Sequence, residues 1–172
     1  MPVAPGTWGS ALGVGIFLLL ELFGKAVFPR PALTGKNIES VDAISTLMPG
    51  AEGANLLRIS VLLVFSIVIV LAGVWAATRA ESLLRRKDPG VVVIDEVAGQ
   101  LLTFLFVPAG APWWIIVSGF VAFRLFDIWK PYPIRRLESL ESGLGIMADD
   151  VLAGAYAATL MLFVLTLIYL LP

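Results

Sequence analysis

Long apolar stretches separated by short polar segments dominate the pattern of this chain. Three of them, residues 11–28, 57–78 and 151–171, match the roughly 20 apolar residues that a helix needs to cross a bilayer. Glu21 and Lys25 interrupt the first stretch, whereas the other two carry almost no charge. The pattern therefore predicts three transmembrane helices.

The apolar segments between the second and third stretches are shorter and are broken by proline and glycine. Residues 97–107 and 113–129 are apolar, but the sequence Pro-Ala-Gly-Ala-Pro at 108–112 cannot continue a helix. This predicts a helical hairpin, with Trp113 and Trp114 at the membrane interface, where tryptophan is enriched. The predicted fold class is all-α: a polytopic membrane bundle of about five membrane-embedded helices, three full spans plus the hairpin.

The composition favours a single integral-membrane domain over residues 1–172. Hydrophobic residues make up 59% of the chain and charged residues 15%, with a mean hydropathy of +0.93, whereas soluble domains are roughly half apolar and a quarter charged. The net charge of −1 provides no basic excess for binding nucleic acid. Cysteine and histidine are both absent, which excludes thiolate nucleophiles, thiolate or imidazole zinc sites and phosphohistidine chemistry.

The basic residues fall mainly on one side of the predicted bundle. Five alternating crossings place the N-terminus and segments 79–96 and 130–148 on that side, with the basic residues Arg79, Arg85, Arg86, Lys87, Lys130, Arg135 and Arg136, and with Arg124 nearby. The other side includes a loop predicted over residues 30–56, with a short interfacial helix near 41–47. The basic residues on this other side are Arg30, Lys36 and Arg58. The positive-inside rule puts the first side in the cytoplasm, in a pattern typical of the bacterial inner membrane.

Acidic residues occur as two adjacent pairs, Asp95-Glu96 and Asp149-Asp150, each at the predicted start of an apolar helix. Such positions are compatible with simple helix capping and with stabilisation of the helix dipole. Two pairs on the same predicted side also suit a shared ion site. With no histidine or cysteine, converging carboxylates indicate a hard cation such as Mg²⁺, which binds carboxylates, water and phosphate oxygens.

Another acidic residue, Asp127, lies inside an apolar helix between Arg124 and Lys130, three residues away in each direction. This spacing places the three side chains on or near one helical face. Ionisable groups within spans are costly and usually face partners or a polar cavity. The trio is compatible with a structural ion pair or with a site where cations hold phosphate oxygens.

Two glycine-containing segments precede predicted helices and are candidates for phosphate contact through backbone N–H groups. Residues 142–150 are predicted to form a flexible loop that leads into a helix, with Gly145 as a candidate contact. Residues 5–10 likewise precede a helix, with Thr7 as a candidate contact. Helix capping by Thr7 or Ser10 is the alternative for that segment.

Four segments in order resemble the phosphatidylglycerophosphatase A family. They are residues 5–10 (PGTWGS), 87–99 (KDPGVVVIDEVAG), 123–135 (FRLFDIWKPYPIR) and 143–154 (GLGIMADDVLAG), which bracket nearly the whole chain. The resemblance implies a multi-pass enzyme of the bacterial inner membrane with its site facing the cytoplasm. It also implies Mg²⁺-dependent hydrolysis of phosphatidylglycerophosphate to phosphatidylglycerol and inorganic phosphate.

The resemblance implies a role for each acidic and basic candidate. Metal ligands are expected at Asp95, Glu96, Asp149 and Asp150, and catalytic roles at Asp95, Glu96, Asp127 and Asp150. Phosphate binding is expected of Arg124, Lys130 and Arg135. Glu81 and Asp88 are secondary candidates for the site. The chain departs from the family pattern at Glu138, where aspartate is usual, at Ser142, which replaces a glycine, and in the longer 30–56 connection.

Alternatives remain open at the level of the sequence. The chain is also compatible with a phosphatase of another lipid phosphomonoester, or with a transporter or scaffold with buried acidic residues. Within the phosphatase reading, direct attack by water and an aspartyl-phosphate route are both possible. The sequence does not indicate an oligomeric state; the expected partners are the lipid substrate and the surrounding membrane lipids.

Overall fold

The computed structural model describes residues 5–27, 50–84, 93–137, 140 and 142–170. These parts of the chain form six helices and no strand. The helices are α1 (Pro5–Val27), α2 (Gly50–Leu84), α3 (Ile94–Thr103), α4 (Trp113–Trp129), α5 (Ile134–Leu137) and α6 (Ser142–Leu170). The predicted all-α fold class is confirmed.

Three of these helices are long and apolar enough to span a membrane. Their apolar parts are Pro5–Ala26 in α1, Asn55–Leu83 in α2 and Gly143–Ile168 in α6. Large apolar side chains such as Leu71 and Phe163 point away from the bundle, which is the arrangement expected where lipid replaces water. The three predicted spans are confirmed.

The predicted hairpin consists of α3, a turn and α4. The turn uses Gly110 in the left-handed region, with a φ of 79°, and Pro112 immediately precedes α4. Ten residues of helix rise only about 15 Å, about half the bilayer's hydrocarbon core, so α3 is too short to cross by itself. It therefore depends on neighbouring helices to shield its backbone and polar groups from lipid.

Successive long helices run in opposite directions, as the alternating topology requires. At one end of the bundle, the start of α1 approaches the start of α3, since a Cβ on Gly9 would lie 2.9 Å from Val93 O. At the other end, Arg58 of α2 pairs with Glu21 of α1 and donates to Val107 O beside the hairpin turn. We call the first of these the acidic end, because the two acidic pairs and Asp127 lie there.

The shorter arm of the hairpin, α3, lies at the centre of the bundle. Seven of the ten residues of α3 are buried, and the helix packs against α1, α2, α4 and α6. Beyond α3, Phe104 stacks near Phe17 with ring centroids 4.6 Å apart, inside a core that also includes Leu62 and Leu101. Protein rather than lipid therefore surrounds the polar first turn of α3.

Two glycines bring the backbones of α3 and α6 into direct contact. A Cβ on Gly154 would lie 2.9 Å from the Cα of Gly99, and a Cβ on Gly99 would lie 2.6 Å from Asp150 O. Small residues permit such close helix approach in membrane proteins. The contact fixes the height of Asp150 relative to the first turn of α3.

Three predicted loops differ from the structure. Helix α2 begins at Gly50, so residues 50–56 are helical, whereas residues 28–49, with the helix expected near 41–47, lie outside the described residues. The predicted flexible loop over 142–150 is wrong, because α6 begins at Ser142. A Cβ on Gly143 would lie 2.7 Å from Thr78 N, so this glycine permits close packing against α2 instead of breaking the helix. Helix α1 likewise begins at Pro5, ahead of the proposed caps.

We expect Gly154→Ala to destabilise the protein, whereas Gly15→Ala should leave it unchanged or slightly more stable. The added methyl at 154 meets the backbone of α3, and overpacking of this kind costs about 1–3 kcal/mol. Gly15 lies on a membrane helix with nothing within 4 Å of an added Cβ, so only the helix propensity gained from alanine remains. Thermal unfolding of the two purified variants in one detergent measures the difference. Equal stability would contradict the close α3–α6 contact.

Candidate functional site

Three carboxylates from two helices meet at the acidic end. Asp95 and Glu96 come from the first turn of α3, and Asp150 comes from α6. One oxygen atom from each lies within 4.8 Å of the other two. Asp150 is 4% exposed and Asp95 is also buried, so residues more than fifty positions apart form one enclosed acidic group. We call it the carboxylate centre.

The carboxylate centre has buried oxygen atoms without a protein partner. Neither Asp95 Oδ1 nor Glu96 Oε2 has a hydrogen-bond partner, and burying unpaired carboxylates is costly. Burial, together with the neighbouring Glu96 carboxylate, raises the pKa of Asp95, which lies outside the three membrane-spanning helices, to about 9. A hard divalent cation would favour the deprotonated, charged form of these carboxyls, and an all-oxygen donor set is the one such ions prefer. The residues therefore fit a metal ion.

Asp127 connects the carboxylate centre to a cation. Its carboxyl lies close to that of Asp150, and its Oδ2 accepts from Arg124 Nη1 at 2.5 Å. Arg124 also reaches the start of α1, because a Cβ on Gly6 would lie 3.0 Å from Arg124 Nη1 and 2.5 Å from Glu96 Oε1. Because residue 6 is glycine and has no side chain, there is space for the Arg124 guanidinium to approach the carboxylate centre.

Asp149 and Lys130 form a second ion pair beside the carboxylate centre. Lys130 Nζ donates to Asp149 Oδ2 at 2.7 Å, and Lys130 ends α4 in the left-handed region with a φ of 47°. The sequence grouped Lys130 with Arg124 and Asp127 on one helical face; the structure turns it towards α6 instead. Asp149, expected as a metal ligand, is not one of the three carboxylates that meet.

The two acidic pairs were each predicted to lie at the start of a helix, and the structure places only one of them there. Asp95 and Glu96 do occupy the first turn of α3. Asp149 and Asp150 lie within α6, which begins at Ser142, so capping does not account for them. Their position on a membrane-spanning helix instead requires polar neighbours, which α3 and α4 supply.

The remaining predicted contacts lie at the edge of the site or outside the described residues. Thr7 and Arg135 are exposed, and Arg135 Nη2 donates to Trp129 O at 3.4 Å. Gly145 lies in a helix, where a Cβ would meet Leu140 O at 2.5 Å, which contradicts its expected place in a phosphate-binding loop. Glu81 is half-buried on α2. Asp88 and Glu138 lie outside the described residues.

Sequence reasoning missed Gln100, one turn beyond Glu96 on α3. Its side chain is fully buried, and neither amide atom has a hydrogen-bond partner. Gly13 of α1 packs on it, with 2.8 Å between a Cβ built at 13 and Gln100 Cβ. The sequence did contain an indication of this residue. Gln100 is an amide within an otherwise apolar segment, and it follows the candidate ligand Glu96 by four residues, which places both side chains on one helical face.

The fold and the site define a polytopic membrane protein with a buried acidic centre beside two cation–carboxylate pairs. The sequence model of phosphatidylglycerophosphatase A matches residues 1–165, and the chain belongs to that family. It is accordingly a phosphatase that acts on lipid, and the predicted enzyme class is confirmed.

Individual relatives are consistent with this assignment. A Bacteroides thetaiotaomicron protein named, provisionally, as a phosphatidylinositol-3-phosphatase is 36% identical over 147 residues, which are 76% of this chain and 91% of that protein. The phosphatidylglycerophosphatase A of Haemophilus influenzae is 32% identical over 157 residues, 90% of this chain and 74% of the relative. That of Escherichia coli is 35% identical over 104 residues, 58% and 60% of the two chains. No solved structure matches the chain.

We expect Gln100→Met to raise the thermal stability of the protein, because it removes a buried amide without a partner; such groups cost about 1–3 kcal/mol. Thr103→Val on the same helix is the matched control. Thr103 is equally buried, but its hydroxyl donates to Gly99 O at 3.0 Å, so its loss should be neutral or mildly destabilising. Melting curves in detergent make the comparison. A lower melting temperature for Gln100→Met would mean that the amide has a partner in the protein, such as an ordered water.

Proposed function

We propose that this chain hydrolyses the phosphomonoester of phosphatidylglycerophosphate, yielding phosphatidylglycerol and inorganic phosphate, with Mg²⁺ as cofactor. The observation that carries the proposal is the meeting of Asp95, Glu96 and Asp150 in one enclosed centre beside Arg124. Family membership supplies the reaction class. Two relatives carry the name of this activity.

Mg²⁺ is proposed to be held by Asp95, Glu96 and Asp150. The two carboxylate oxygens without partners, Asp95 Oδ1 and Glu96 Oε2, support this. When bound, the ion would supply positive charge to the phosphoryl oxygens and orient the attacking group. Direct attack by water and attack by a carboxylate both remain compatible with this arrangement, and Asp127, in contact with Asp150, is the candidate to accept a proton.

Arg124 and Lys130 are proposed to bind the phosphate. Each is held by a carboxylate that does not belong to the carboxylate centre, Arg124 by Asp127 and Lys130 by Asp149. Such pairing fixes a long side chain before substrate arrives, which reduces the cost of ordering it on binding. Arg135, exposed at the same end, would add a further cation for the head group.

The acidic end is proposed to face the cytoplasm of a bacterial inner membrane. Among the described residues, the helix ends there carry Arg79, Lys130, Arg135 and Arg136, and the opposite end carries Lys25 and Arg58. This bias favours a cytoplasmic acidic end. A lipid substrate could then keep its acyl chains in the inner leaflet while its head group meets the carboxylates.

A second lipid substrate class has one specific observation in its favour, the relative named provisionally as a phosphatidylinositol-3-phosphatase. Both substrates share a phosphomonoester on a diacyl lipid, and the carboxylate centre does not discriminate between them. Measuring phosphate release from phosphatidylinositol 3-phosphate and from phosphatidylglycerophosphate, and comparing the two kcat/KM values, decides which lipid is the substrate. Transport is disfavoured because the three carboxylates cluster at one end, and Glu21, an acid at the other end, pairs with Arg58.

We expect Asp150→Asn to lower kcat for phosphatidylglycerophosphate by about 10³-fold or more, because a metal ligand is worth several kcal/mol in the transition state. Asp149→Asn, a neighbour paired with Lys130, should lose less and mainly raise KM. Phosphate release in mixed micelles across a Mg²⁺ titration measures both, and melting curves check that each variant is folded. A wild-type rate in Asp150→Asn would remove that residue from the mechanism. An equal loss of kcat in Asp149→Asn would extend the metal site to it.

The absence of cysteine allows the orientation to be tested without background labelling. We expect Arg136→Cys to react with a membrane-impermeant maleimide only after bacterial cells are lysed, and Pro108→Cys, exposed in the hairpin turn, to react in intact spheroplasts. The positive-inside bias is the physical reason. Mass shift on a gel reports labelling. The reverse pattern would overturn the cytoplasmic placement while leaving the activity open.

A further inference from the structure

An apolar groove of about 660 Å³ runs along the outer face of α4. The apolar side chains of Phe120, Val121, Leu125 and Ile128 line it, and three of them are exposed on the bundle's surface. They recur at intervals that place them on one stripe of the helix. The opposite stripe, with Phe123 fully buried, packs against the rest of the bundle.

The groove leads from the membrane interior towards the acidic end. Helix α4 begins beside the hairpin turn and ends at Trp129, next to Lys130 and its partner Asp149. Val121 therefore lies near the middle of the helix, and Trp129 and Arg135 line the end of the groove. The groove is therefore apolar within the bilayer and amphipathic or basic at the membrane edge. A phospholipid has the same arrangement, with apolar acyl chains inside and a charged head group at the edge.

Arg124 joins the groove to the carboxylate centre. It lines the groove, pairs with Asp127 at 2.5 Å and lies across the space at Gly6 from Glu96. A lipid in the groove would thus contact Arg124, which also borders the carboxylate centre. Where the groove ends, it would contact a second cation, Arg135. An anionic head group complements this end, whereas a neutral lipid gains nothing from it.

We propose that this groove binds an acyl chain of the lipid substrate, which enters sideways from the leaflet along α4 and presents its phosphate at Arg124. The inference rests on the proposed function. It adds to that function the path by which the lipid reaches the site and the surface that favours a long acyl chain. Chain burial along the groove is binding shared by the ground and transition states, so it lowers KM rather than raising kcat.

Filling the groove tests the proposal. Val121→Trp places an indole in it, and Val68→Trp is the matched control, since Val121 is 57% exposed and Val68, on α2, is 56% exposed. The substrates are dioleoyl phosphatidylglycerophosphate in mixed micelles and a water-soluble dibutyryl analogue. We expect Val121→Trp to raise KM for the dioleoyl substrate about tenfold with little change in kcat, and to leave the dibutyryl substrate and the control unaffected.

Other outcomes overturn the groove without touching the proposed function. Equal KM increases in both variants would indicate a general effect of indole on the lipid-facing surface. Equal losses on both substrates would indicate damage to the site itself. Failure of the wild-type protein to hydrolyse either substrate would instead sink the proposed function.

A binding measurement independent of turnover covers the case in which Val121→Trp does not fold. Phosphatidylglycerophosphate with a diazirine in its acyl chain is photolysed with Asp150→Asn protein in excess phosphatidylcholine. We expect label in residues 113–129, reduced by unlabelled phosphatidylglycerophosphate. Label spread over α2 and α6 as well, or no competition, would mean that the groove holds only bulk lipid.

Discussion

The close contact between the backbones of α3 and α6 at Gly99 and Gly154 is the constraint on which the site depends. Carboxylates are short side chains, so Asp150 can share an ion with Asp95 and Glu96 only if the two helix backbones nearly touch. In lipid, no hydrophobic force drives helices together, and close approach relies on packing between small residues. The same contact that shapes the bundle therefore positions the chemistry.

Burying several carboxylates in a membrane protein requires compensation, and the chain provides it in two ways. Asp127 and Asp149 each pair with a cation, Arg124 and Lys130. The carboxylate centre keeps oxygen atoms without a protein partner, which fits an ion supplied from outside. Buried polar atoms without a partner are unfavourable in the folded state, so these oxygen atoms suit a group that binds there. The three carboxylates that meet are a group that could hold a metal ion.

The surroundings of the site match a substrate that is itself part of the membrane. The hairpin arm α3 is enclosed by protein, while α4 exposes an apolar stripe to lipid and ends in basic and aromatic residues. A lipid phosphate needs no soluble domain around it, since the bilayer already holds its chains. Much of the described bundle shields a short polar helix and orients it towards the head-group region.

The sequence by itself determined the three spans, the proline- and glycine-rich hairpin turn, the family and the identity of the acidic candidates, because apolar length and helix breakers act locally and the motifs are continuous in the chain. It failed where glycine has a tertiary role. Gly143 and Gly145 suggested a loop, but a glycine that admits a neighbouring backbone is indistinguishable in sequence from one that breaks a helix. Only the tertiary structure decided that Lys130 turns to Asp149 and that Gln100 is buried without a partner. It also decided that Asp95, Glu96 and Asp150 form the group that meets, since these depend on how distant helices pack.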